Sequence, residues 1–197
     1  SVTDEWYTIT NSSTGEVMAE APRCTADEVN AAVATAKEAF PAWRDTPLPA
    51  RVQVMFKLKE KLEENLHDLA VLLSTEMGKS YTEARGDVLK SIEVVELACA
   101  LPVTMQGDSL MNVSKGYDTV TYREPLGVFV GIAPWNFPAM IPMGWMMPLA
   151  VATGNTFVLK AASFVPQTAM RIAQLAHESG LPPGVLNVVT CSRHEAE

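Results

Sequence analysis

From Pro125 to Leu159 the chain carries no charged residue. Such a run belongs either in a bilayer or in a covered interior. A membrane-spanning helix needs about 20 apolar residues and must satisfy every backbone group by itself. Here Pro125, Pro134, Pro138, Pro142 and Pro148 interrupt the run, and Asn136, Asn155 and Thr156 would have to enter lipid. No membrane span is expected; a buried unit of strands and helices explains the same residues. Leu126–Ile132 reads as a continuous apolar strand, Pro138–Thr153 as a helix and Thr156–Leu159 as a second apolar strand. Pro166–Ser179 follows as a helix, with Pro166 at its first position and Gly180 as its stop, and Val185–Val189 as a third strand. Strands apolar on both faces and joined through helices predict a parallel sheet covered on both sides.

The N-terminal half has a different pattern. Residues 1–22 read as an irregular lead-in, with turn chemistry at Asn11–Gly15 and a short strand at Val17–Ala19. Thr25-Ala26-Asp27-Glu28 fits a capping box, after which Val29, Ala32, Val33, Ala36, Phe40 and Trp43 recur at helical spacing. A second helix is predicted from Pro49 to Met77, stopped by Gly78, and a third from Thr82 to Ala100. Gly107–Ser109 is a turn, and Thr119–Glu124 alternates like a strand. The expected divisions are a helical part over 1–103, a strand segment over 104–124 and a β-α-β-α-β unit over 125–197.

Composition removes several functions. The net charge is −8, and a nucleic-acid binder needs a basic face. Hydrophobic residues make up 48% and charged residues 19%, too apolar for a disordered chain. Cys24, Cys99 and Cys191 form no C-x-x-C pair, which favours a reducing compartment, and His67, His177 and His194 have no metal-ligand spacing. No signal or transit peptide pattern opens the chain, and Ser1 in place of Met suggests a processed or trimmed start.

Ligands of open parallel sheets bind beyond the carboxyl ends of the strands. Two segments qualify: Ala133-Pro134-Trp135-Asn136-Phe137-Pro138, and Lys160-Ala161-Ala162-Ser163-Phe164. Lys160 is the first charge after the neutral run, and G-x-G-x-x-G is absent. Alternatives stand beside each residue. Asn136 could cap the following helix, Lys160 could be a solvated strand-end lysine, and Met140, Met143, Met146 and Met147 read as core filling rather than a tunnel wall. Cys99 reads as a small buried hydrophobe, and Cys191 shows no sign of activation.

At these residues the sequence resembles the aldehyde dehydrogenase superfamily. Pro125-Leu126-Gly127-Val128, continuing into Gly131-Ile132-Ala133-Pro134-Trp135-Asn136-Phe137-Pro138, is similar to one signature of that superfamily, and Gly154–Lys160 to a second. Gly86-Asp87-Val88, Val94-Val95-Glu96 with Ala98-Cys99, and Phe137–Pro142 resemble the CoA-acylating, methylmalonate-semialdehyde branch. The likeness runs from about Thr10 to Glu195. It implies an α/β fold: N-terminal helices plus the first half of a Rossmann-like parallel sheet, with 104–124 resembling the start of an oligomerisation arm.

The resemblance also implies chemistry. A cysteine thiolate attacks an aldehyde, hydride passes to NAD, and the thioester is transferred to CoA. Asn136 would be the oxyanion donor, a kind of group whose loss costs about 10²–10³ in rate. Ala133 and Trp135 would line the nicotinamide side, Lys160 would bind the adenosine ribose, and Ser163 and Phe164 complete the cofactor positions. The superfamily's nucleophilic cysteine and general-base glutamate have no counterpart here. Its Lys-Pro-Ser-Glu motif reads Lys160-Ala161-Ala162-Ser163, Phe164 replaces the following arginine, and Gly144 looks like a one-residue insertion. A short hydroxyl cannot replace a carboxylate reaching two ribose oxygens, so weak NAD binding is expected. The implied function is the cofactor-binding portion of a dehydrogenase, inactive alone and oligomeric, completed by a missing C-terminal half or a protein partner. The alternative is a shortened, inactive relative serving as a structural subunit. The family likeness points to the mitochondrial matrix or a bacterial cytoplasm.

Overall fold

The computed structural model describes residues 3–196. Two strands the lead-in was expected to lack or abbreviate form a hairpin: β1 (Trp6–Thr10) pairs antiparallel with β2 (Val17–Pro22). Its turn is the predicted one, with Asn11 Oδ1 accepting from Ser13 N at 2.9 Å. α1 (Ala26–Arg44) starts at Thr25 with the full capping box, Thr25 N donating to Glu28 Oε2 at 3.0 Å.

The second predicted helix is two. α2 (Leu48–Glu64) and α3 (Leu66–Met77) meet at Asn65, which leaves helical geometry at φ −97° and ψ 9°. Asn65 Nδ2 donates to Lys61 O at 2.8 Å and Oδ1 accepts from Arg171 Nη2 at 3.3 Å, so the break is satisfied by side-chain bonds. α4 (Tyr81–Cys99) begins on a second capping box at Ser80, and α5 (Leu101–Thr104) is a single turn. β3 (Ser109–Ser114) and β4 (Tyr117–Val120) then form an antiparallel hairpin whose residues are all exposed. The strand expected over Thr119–Glu124 thus starts earlier, ends at Val120 and has a partner.

β5 (Val128–Ile132), β6 (Thr156–Lys160) and β7 (Leu186–Val189) form a parallel sheet in the order β5-β6-β7. β6 is buried between its neighbours. Phe157 and Leu159 face the large helical core, and Val158 faces α1 with Ala36 and Val189. The expectation of cover on both faces fails at β5, where Val130 is 60% and Ile132 59% exposed. β5 is an edge strand, so its apolar residues lack the neighbours that bury β6.

Pro138–Thr153 is not one regular helix. Met140–Met146 is a wide π-helical segment, continued by α6 (Met147–Ala152), and Met147 N donates five residues back to Pro142 O. Pro142 and Pro148 supply no N–H, which weakens the ordinary four-residue pattern. Gly144 packs on α4, where a Cβ would stand 2.9 Å from Ser91 Cα. Met143 and Met147 are fully buried, as core filling requires. α7 (Gln167–Glu178) has Pro166 just before its first residue, and Gly180 ends the helix region at φ +97°. α8 (Arg193–Ala196) is a last short turn. No helix among the described residues is long and apolar enough to cross a membrane.

Candidate functional site

The loops after β5, β6 and β7 leave the sheet side by side. Ile132 is in register with Lys160, Ala133 N donates to Lys160 O at 3.1 Å, and Ala161 N donates to Val189 O at 2.9 Å. These bonds bring both candidate segments into one groove of about 470 Å³. Ala133 and Trp135 form one wall, and Lys160, Ser163 and Phe164 the other. Trp135 is 62% and Phe164 73% exposed, so two aromatic faces stand open at the groove. Five of the six predicted site residues therefore meet in one place. Asn136, half-buried, lies one residue beyond the groove wall, and its carboxamide makes no hydrogen bond among the described residues.

The structure also decides against the helix-cap reading of Asn136. The helix after it starts at Met140, preceded by Ala139, with no capping side chain of its own. The cap comes from α4: Asp87 Oδ1 accepts from Met140 N at 2.6 Å. Asp87 Oδ2 receives Lys79 Nζ at 2.9 Å, and that ammonium stands 3.8 Å from the centroid of the Phe137 ring. The segment carrying Asn136 is thus held by a buried ion pair from outside the sheet. Asp87 and Lys79 were missed by sequence reasoning as site residues. One signal was present: Asp87 lies on the apolar face of α4, one position before Val88.

α7 is capped the same way. Glu76, 1% exposed, accepts from Gln167 N at 2.6 Å, Thr168 N at 3.2 Å and Thr168 Oγ1 at 3.1 Å. Burial pushes its carboxyl above the usual glutamate range, and the bonds from Gln167 and Thr168 offset part of that. The helical segment after β5 and α7 after β6 therefore each have a carboxylate on their first free N–H groups. Neither end is open to a phosphate in the manner of G-x-G-x-x-G folds.

Around the groove the charge is basic. Arg23 and Arg193 line it with Lys160, and Lys160 has no carboxylate partner among the described residues. Arg23 pairs with Glu5 at 2.7 Å. Ser163 Oγ donates to Cys191 O at 3.2 Å. The Cys191 thiol is fully buried, and burial pushes its pKa up, with Lys160 pulling it partly back. The half-buried Cys99 thiol is raised for the same first reason. Neither has the lowered pKa of an activated nucleophile. Among the described residues no three His, Cys, Asp or Glu side chains group to hold a metal ion. A second cavity of about 420 Å³ lies between β2 and α7, beside Glu20 and Arg171, and contains none of the predicted residues.

Comparison with known proteins resolves the fold family. A profile of the aldehyde dehydrogenase family matches residues 1–197. The chain belongs to the aldehyde dehydrogenase family. The mitochondrial, acylating methylmalonate-semialdehyde/malonate-semialdehyde dehydrogenase of Homo sapiens is 44% identical over 196 residues, 100% of this chain and 36% of that protein. The crystal structure of methylmalonate-semialdehyde dehydrogenase from Oceanimonas doudoroffii superposes with TM-score 0.94 at 39% identity, over 99% of this chain and 40% of the other. A Sinorhizobium meliloti 1021 structure carrying the same assignment, complexed with NAD, gives TM-score 0.93 at 37% identity over 98% and 39%. This aldehyde dehydrogenase chain spans about 36 to 40% of the length of these relatives. Its groove lies at the carboxyl ends of the parallel strands of an aldehyde dehydrogenase fold.

Proposed function

We propose that the chain is the dinucleotide-binding portion of a CoA-acylating aldehyde dehydrogenase of the methylmalonate-semialdehyde type. The observation that carries this is the single groove joining Ala133 and Trp135 to Lys160, Ser163 and Phe164. Its chemistry suits a nicotinamide adenine dinucleotide: aromatic and apolar surface for flat rings, hydroxyl and ammonium groups for ribose and phosphate. With Asp87 and Glu76 occupying both helix N-termini, the anionic part of the ligand falls to side chains at the strand ends, Lys160 first. When bound, the dinucleotide supplies a hydride acceptor. Trp135 and Ala133 orient its reactive end, and Asn136 offers an N–H to the oxygen of the aldehyde. Lys79 and Asp87 hold the Asn136 segment still.

The nucleophile, the general base and the CoA site lie outside these residues: burial raises the pKa of the Cys99 and Cys191 thiols, and Cys24 is buried. The exposed β3–β4 hairpin and the open face of β5 need cover, from the rest of an enzyme or from another protein. We assign the hairpin the role of an oligomerisation arm. The compartment follows the family, mitochondrial matrix or bacterial cytoplasm.

The test is calorimetric titration of the purified chain with NAD⁺ and NADP⁺. Saturable binding of at least one dinucleotide is expected, weakened about tenfold or more by Lys160→Ala, which removes a charge-assisted bond. Given aldehyde and CoA, the chain alone is expected to form no reduced cofactor. Binding of neither dinucleotide, or binding indifferent to both Lys160→Ala and Trp135→Ala, refutes the assignment.

A further inference from the structure

Two of the three cysteines lie together, although they are far apart in sequence. Cys24, after β2, and Cys191, after β7, belong to one small buried cluster with Ala36 of α1, Val158 and Val189. Backbone segments seat them there: Cys24 N donates to Thr190 O at 2.7 Å, and Thr190 Oγ1 donates to Pro22 O at 2.5 Å. Burial is the first cause of the raised Cys191 pKa. Lys160 opposes it and a Cys24 thiolate adds to it, so the two sulfurs feel each other's charge. Cys99 sits elsewhere, half-buried on α4 against the large helical core.

Both residues of the pair also border open space. Cys24 lines the cavity of about 420 Å³ between β2 and α7, and another of about 310 Å³ beside Glu5 and Glu195. Cys191 lines the groove at the strand ends. Openings of this size admit a small uncharged oxidant such as hydrogen peroxide. In a reducing compartment such a pair stays as thiols and links only transiently, as redox-sensing cysteines do.

We propose that Cys24 and Cys191 are a redox-modification site, forming a reversible disulfide when the protein meets a hydroperoxide. The Cys24 sulfur attacks the peroxide: an S–O bond forms, the O–O bond breaks, and the thiol proton leaves with the departing oxygen as water. The Cys191 sulfur then attacks the Cys24 sulfenic acid: the S–S bond forms, the S–O bond breaks, and a second water carries off the Cys191 proton. Two thiols lose two electrons in all, and one peroxide is reduced to two waters. Cys24 reacts first because it borders two cavities, whereas the Cys191 thiol is fully buried and held protonated. The link joins the end of β2 to the loop after β7. Arg23 and Cys191 both line the groove, and Ser163 Oγ donates to Cys191 O, so the oxidised chain ties two groove-lining segments together. The proposal does not depend on what the groove binds.

The experiment treats the purified chain with hydrogen peroxide under native conditions and reads the intact mass and the unreduced peptide map. A mass loss of about 2 Da, two hydrogen atoms, and a linked peptide pair containing Cys24 and Cys191 are expected, both reversed by dithiothreitol. Three cysteines allow three pairings, and Cys24 with Cys191 closes the longest loop. In urea this pair is therefore expected in fewer than about one in three links, against about nine in ten in the folded chain. Cys24→Ser and Cys191→Ser are each expected to abolish the link and leave Cys99 a free thiol. If either variant does not fold by circular dichroism, the parent's peptide map and its contrast with urea decide. Three thiols left free, a link through Cys99 or between chains, or oxidation of Cys24 or Cys191 to sulfinic acid without a link overturns the proposal.

Discussion

Replacing Asp87 by alanine leaves a hole with two consequences. The Lys79 ammonium loses its carboxylate, and Met140 N loses its acceptor. The Asp87 side chain is 0% exposed and that of Lys79 12%, so little water is available to either orphan. Removing one partner of a buried pair costs about 3–5 kcal/mol. Lys79 keeps the Phe137 ring and a narrow route to solvent, which places Asp87→Ala at the lower end, about 3 kcal/mol. For a chain of this size that is a fall in melting temperature of about 6–12 °C. Asp87→Asn keeps the shape and an oxygen for Met140 N, so its cost is expected to be about half as large. Urea unfolding followed by far-UV circular dichroism gives both values. A double-mutant cycle with Lys79→Met isolates the pair, with an expected coupling of about 1–3 kcal/mol. If Asp87→Ala lies within about 1 kcal/mol of the parent, the claim that this pair holds the Asn136 segment is wrong.

Two further outcomes follow from packing and burial. Glu76 has a folded-state pKa above its ordinary value, so the folded chain binds its proton more tightly than the unfolded chain. The stability this contributes is complete below the ordinary glutamate pKa and is lost as pH rises through the raised one. Measured by urea unfolding across that window, the parent should therefore lose stability relative to Glu76→Gln as pH rises; a gap moving the other way refutes the dominance of burial. Gly144→Ala puts a methyl group 2.9 Å from Ser91 Cα, a backbone atom that cannot swing aside, and should cost about 1–3 kcal/mol by thermal melting.

What the sequence disclosed depended on whether the signal was local. The charge-free run was legible because a strand buried on both faces reads as unbroken apolar residues, as Thr156–Lys160 does. The crevice was legible because ligands collect beyond the carboxyl ends of parallel strands, which singled out Trp135 and Lys160. β1 was invisible because of its five residues only Ile9 is buried. The break at Asn65 was invisible because Leu62, Leu66 and Leu69 keep the same inward spacing across it. The π-helical segment left no periodic trace over so few residues, although two prolines around Gly144 marked a disturbance. Asp87 and Glu76 escaped for a different reason: each caps a helix far away in sequence, 53 residues for Met140 and 91 for Gln167.

Those two caps also explain how both sides of the site are held in register. Glu76 ends α3 and Lys79 follows it by one short turn through Gly78, which adopts φ +85°. From this one corner, Glu76 anchors α7, which follows the Lys160–Phe164 loop, and Lys79 with Asp87 anchors the Trp135–Asn136 loop. Ser12 from the N-terminal hairpin adds its own bonds to the corner, Ser12 N to Thr75 O at 3.2 Å and Ser12 Oγ to Glu76 O at 2.5 Å. A carboxylate bonded to a helix N-terminus is directional, and Glu76 and Asp87 stand on either side of the shared turn at Gly78. None of Glu76, Gly78, Lys79 and Asp87 lines the groove, yet segments flanking both of its walls are bonded to this corner. Substitutions there should therefore loosen ligand binding on both sides of the groove together, whereas a change at Lys160 acts on one side only.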